Sequence, residues 1–114
     1  QTELVQAARA EHEATIAQKR ALENRLNSEI VDATEQLKTA RDVVALYQAD
    51  VIPLTEIAGK TARSGYAARR IPLTQLLETL RVERVQNLEL VAAQIDVELS
   101  KARLENLLSS PPVI

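Results

Sequence analysis

The chain contains no cysteine, methionine, tryptophan or phenylalanine, and among its 114 residues there are only two tyrosines (Tyr47, Tyr66), two glycines (Gly59, Gly65), four prolines (Pro53, Pro72, Pro111, Pro112) and one histidine, His12. Without cysteine there can be no disulfide, zinc–thiolate site or thiol nucleophile, and one histidine cannot assemble a histidine cluster. With so few large aromatics, a core has to come from Leu, Val, Ile and Ala. Fourteen basic residues against sixteen acidic ones leave a net charge of −2, which gives no global attraction to nucleic acid or to an anionic membrane. No stretch reaches the roughly eighteen apolar residues of a membrane-spanning helix, and Gln1-Thr2-Glu3 does not open a signal pattern. The expectation is a soluble segment of a larger protein, one domain in length.

What is abundant is helix-forming sequence. Residues 2–52 hold neither glycine nor proline and are rich in Ala, Gln, Glu, Leu and Arg, which predicts one long helix. Leu22, Leu26, Ile30, Ala33, Leu37, Ala40, Val44, Tyr47, Val51, Leu54 and Ala58 recur three or four residues apart, the stripe of a coiled coil. The stripe runs in register through Pro53, so a kink is expected there rather than an end. The helix is placed at about 2–68 and the turn at about 64–72, where Pro72 disfavours helical geometry at Ile71 and suits the first turn of a new helix. A second helix follows over about 72–108, stopped by Ser109-Ser110-Pro111-Pro112 in a tail of 109–114. Its apolar residues form two lines, Leu88/Ile95/Ala102 and Leu90/Val97/Leu104, and two lines imply two neighbours. The fold class is therefore all-α: a long antiparallel helical hairpin, coiled-coil-like, with arms of roughly 100 Å and roughly 55 Å. Such a pair buries little apolar area alone, so further helices alongside are expected.

The order and spacing of three segments carry a resemblance. They are Leu46-Tyr47 followed by Val51-Ile52-Pro53-Leu54, then Ala62-Arg63-Ser64-Gly65-Tyr66-Ala67-Ala68-Arg69-Arg70-Ile71-Pro72-Leu73, then Leu76-Leu77-Glu78-Thr79-Leu80-Arg81. Together they resemble the outer-membrane efflux protein family, the TolC-like channels of tripartite efflux pumps, whose members show a tyrosine and an LP step, a Y-x-x-G turn and an LLDAQR-like stretch. Arg69 stands where the family usually has the glycine, and Arg bears a steric cost at positive φ that Gly does not. The resemblance implies a homotrimer in the outer membrane of a Gram-negative bacterium, with a transmembrane β-barrel elsewhere in the protein. This hairpin would lie in the periplasm as tunnel wall, with a periplasmic adaptor protein and an inner-membrane pump as partners. It also implies that residues 64–72 form the tip that docks the adaptor and gates the entrance. Tyr66 then matches the tip tyrosine and Glu78 the acidic position after the turn.

Lys60, Arg63, Arg69 and Arg70 place four cations in a stretch without acids, either a docking surface or gate ring, or simply the solvated face of a turn. Tyr66 could hydrogen-bond across the tip or cap the coiled-coil core with its ring. The acids Glu29, Asp32 and Glu35, or Asp96 and Glu98, have the spacing of an ordinary solvated helix face. No glycine loop, nucleophile–base pair or Glu-x-x-His motif accompanies them, so no enzyme and no cofactor are expected. His12 is expected to face solvent. Nucleic-acid binding is not expected, because the basic cluster is small and lacks interleaved aromatics. The substrate class stays open. The alternatives are the hairpin of a periplasmic adaptor (membrane-fusion) protein, whose arms are usually similar in length, and a soluble structural coiled coil.

Overall fold

The computed structural model describes residues 1–109 and is helical almost throughout. Helix α1 spans Thr2–Leu46, one π-helical turn spans Tyr47–Val51, and α2 spans Ile52–Ala67. After a short turn, α3 spans Leu73–Ser109 and runs back antiparallel against the long arm. The molecule measures 98 × 21 × 16 Å, as expected for a long arm of about 100 Å at 1.5 Å rise per residue. Its radius of gyration is 27.0 Å, about twice the ~13 Å of a compact domain of this length. The helix stop expected at Pro111-Pro112 lies outside the described residues.

The core is a thin seam. Ala33, Leu37, Ala40, Gly59 and Ala62 are the buried positions of the long arm, and none lies on α3. On α3, the half-buried positions Leu76, Leu80, Glu83, Gln86, Leu90, Ala93, Val97, Ser100, Leu104 and Leu107 recur in the three-and-four spacing of a coiled-coil seam. Of the two lines read in the sequence, Leu90/Val97/Leu104 therefore faces α1. The other line stays uncovered, with Leu88 61% and Ile95 55% exposed. A surface of 9172 Å², against about 6,200 Å² for a compact chain of this length, reflects the same lack of cover. Residues 1–28 are all exposed. The tie between Arg103 and Gln36 puts the end of α3 level with about Ile30, so the shorter arm does not reach them.

Just before Pro53 the long arm carries a π turn. The ring lacks an N–H and would press on the carbonyl of Ala49 in a regular α-helix. Instead the backbone widens by one residue just upstream: the Ile52 N–H donates to the Tyr47 carbonyl five residues back, and the flanking residues keep helical dihedral angles. One extra residue turns everything downstream by about 100° relative to the stripe upstream. The seam continues through Thr55, Gly59 and Ala62, while Leu54 (65% exposed) and Ala58 point outward. The expectation that the stripe resumes in register through Leu54 and Ala58 is thus corrected by one residue.

Candidate functional site at the hairpin tip

Residues 64–67 belong to α2, within the helix expected to about 68, so of the stretch 64–72 only residues 68–72 form the reversal itself. The Arg69 N–H donates to the Tyr66 carbonyl at 2.9 Å and the Arg70 N–H to the Gly65 carbonyl at 2.8 Å. This pair of bonds is the Schellman ending of a helix, and it requires a left-handed residue just past the cap. That residue is Arg69, at φ 58°. The turn geometry that Gly would make easy is adopted here by Arg, at a cost of about 1–2 kcal/mol. Ile71 then folds back over Gly65, at ordinary packing distance from where a side chain would begin. The Pro72 carbonyl accepts the first bonds of α3, from the N–H groups of Gln75 and Leu76. Pro72 therefore sits just before α3 rather than in its first turn.

The four cations divide between two faces. Lys60 and Arg70 rim an open groove of about 840 Å³ whose floor includes Ala62, Gly65, Ile71 and Thr79. Arg63 lines a second groove of about 400 Å³ with Glu83, Arg84, Leu88 and Val91. Arg69 and Arg70 share the turn and have no acidic partner among the described residues, whereas Arg63 Nη2 lies 3.9 Å from Glu83 Oε2. That carboxylate is held between the helices beside Gly59, its side chain only 19% exposed and Oε2 without a hydrogen bond. The pair is long and half open to water, so it contributes no more than about 1 kcal/mol.

Tyr66 stands in the last turn of α2, 42% exposed, and its hydroxyl makes no hydrogen bond within the described chain. Of the two sequence readings for it, a bond across the tip within one hairpin is not made. Glu78 pairs with Arg81 at 3.6 Å along the exposed face of α3, so it is not joined to Arg63, Arg69 or Arg70. His12 is exposed, Glu29 pairs with Arg25 at 3.4 Å, and no cluster able to hold a metal ion occurs among the described residues. No helix among them is long and apolar enough to cross a membrane.

Sequence reasoning missed Gly59, Glu83 and Tyr47 as partners across the hairpin. An isolated glycine within a helical pattern is a signal of close approach, and Glu83 occupies a seam position three residues after Leu80. Tyr47 Oη donates to Glu89 Oε2 at 2.6 Å. This bond holds the proton on the phenol, and burial and the negative charge of Glu89 act in the same direction, so its pKa is raised above the ordinary 10.0. Compared with known protein families, curated proteins and solved structures, the chain matches none.

Proposed function

We propose that this hairpin is a periplasmic wall segment of a trimeric outer-membrane channel of the TolC-like kind, a passive export duct opened when an adaptor protein docks at the tip. The observation that carries the reading is the turn. The left-handed residue Arg69 is the fourth of Tyr66-Ala67-Ala68-Arg69, the position at which the Y-x-x-G motif has its glycine. The uncovered line of Leu88 and Ile95 supports it further, since a wall helix has neighbours on both flanks. The role is mechanical rather than catalytic: neighbouring hairpins hold the entrance closed, and an adaptor that binds the splayed state more tightly shifts the population toward it. Unpaired Arg69 and Arg70 at the turn suit an acidic docking surface. The adaptor and the inner-membrane pump are the partners of this reading, and no cofactor takes part.

Membrane fractionation and cross-linking of the full-length protein in its native cell test it. An outer-membrane trimer is the expected result. Retention at the inner membrane would transfer the hairpin to an adaptor, and a freely soluble protein would leave only a structural coiled coil. Within an outer-membrane trimer, Arg69→Glu with Arg70→Glu is expected to reduce co-purification of the adaptor, and unchanged co-purification would remove the docking role from these residues.

A further inference from the structure

The middle of the long arm has exposed and half-buried positions only. From Arg41 to Ala58 no residue of the long arm is buried, whereas buried positions stand on both sides, at Ala40 and Gly59. A groove of about 160 Å³ opens there between Arg41, Val44, Gln94, Val97 and Glu98. The π turn Tyr47–Val51 falls inside this stretch, immediately before Pro53, which can donate no backbone hydrogen bond. A helix interrupted in this way has fewer bonds resisting bending than the regular turns on either side.

One side chain spans the same point. Tyr47 opens the π turn, its carbonyl accepts the Ile52 N–H that defines the turn, and its hydroxyl donates to Glu89 on α3. The ring is thus attached to the irregular backbone at one end and to the opposite arm at the other. We propose that the π turn is a hinge in the long arm and that the Tyr47–Glu89 hydrogen bond is its latch: with the bond made, the arm lies along α3, and with the bond released, the arm bows away from α3 at residues 47–53. Elsewhere the arms are joined by Arg103 to Gln36 and Arg63 to Glu83, so opening at Tyr47 leaves both ends of the hairpin tied. The inference concerns this chain's own mechanics and does not rest on the transport reading.

The test uses nitroxides at Arg25→Cys and Thr61→Cys, exposed positions on either side of the π turn in a chain without native cysteine, together with amide hydrogen exchange. Tyr47→Phe keeps the ring and removes the latch. It is expected to broaden the distance distribution and to speed exchange at residues 47–52 by about tenfold, with residues 33–40 and 59–66 within about twofold of wild type. A second variant deletes Asp50 and carries Pro53→Ala, which removes both the extra residue and the missing donor. Its distribution is expected to narrow below that of wild type and its local exchange to slow to that of α1. Identical distributions in all three chains, or exchange that speeds uniformly along the hairpin in Tyr47→Phe, would overturn the hinge.

Discussion

Gly59 and Glu83 meet across the helix interface so closely that any β-carbon at position 59 would overlap the Glu83 carboxylate. The missing side chain is what lets a charged group occupy a seam position otherwise suited to Leu. The arrangement leaves Oε2 buried without a hydrogen bond, its only ionic partner 3.9 Å away, so little is lost by evicting it.

Gly59→Ala is therefore expected to swing Glu83 out toward water and to stabilise the hairpin by roughly 0.5–1 kcal/mol, the helix-propensity gain of Ala over Gly. A urea titration followed by circular dichroism measures it. A loss of stability of similar size would mean that the backbones, and not the carboxylate, set the spacing here.

Arg69→Gly removes the steric cost of φ 58° while enlarging the freedom of the unfolded chain. The first term outweighs the second, and a net stabilisation of roughly 0.5–1 kcal/mol follows. Thermal melting should move up by a few degrees. A lowered melting temperature would show that the Arg69 side chain contributes more than its backbone strain costs.

The hydrogen bond from Tyr47 to Glu89 gives stability a dependence on alkaline pH. The folded-state pKa is raised above 10.0, so the folded chain holds the phenolic proton more tightly than the unfolded one. The contribution is fully present below pH 10 and is lost as pH rises through the raised value. Ultraviolet titration of a Tyr66→Phe chain, which leaves one tyrosine, should place its midpoint above 10.0. Adding Glu89→Gln, which removes the carboxylate, should bring the midpoint back toward that value.

Replacing the uncovered line tests whether it has neighbours. Leu88→Gln and Ile95→Gln fall on surface that is 61% and 55% exposed, so the stability of the lone hairpin should change by less than about 0.5 kcal/mol. In the full-length protein the same pair should lower the yield of cross-linked oligomer. Leu37→Ala is the contrast: Leu37 is buried against α3, and its loss should cost the hairpin itself about 2–3 kcal/mol.

The sequence marked Arg69 only as a residue for which positive φ is costly; that it nevertheless is the left-handed residue of the turn was decided by the tertiary structure. A Schellman ending depends on which carbonyls the last turn leaves free, and a non-glycine residue such as Arg69 is held in the left-handed conformation where the surrounding chain, here Ile71 over Gly65, over-determines it. The same limit applies to the tip cations. Four of them lie close in sequence, but Arg63 projects from α2 into one groove while the left-handed turn at Arg69 carries Arg70 to the other.

Sequence by itself determined the elements: two helical arms, because glycine and proline are almost absent from them, a reversal near Gly65–Pro72, and a heptad line through Leu90, Val97 and Leu104. These are local properties, set by backbone propensity and by a period that each helix carries alone. Tertiary structure decided the phase. Both the original stripe and one shifted by a residue are apolar enough to follow Tyr47, and only packing against α3 selects Thr55, Gly59 and Ala62 over Leu54 and Ala58. That choice requires the π turn, turns Leu54 and Ile57 to the outside, and opens at Gly59 the space that Glu83 fills.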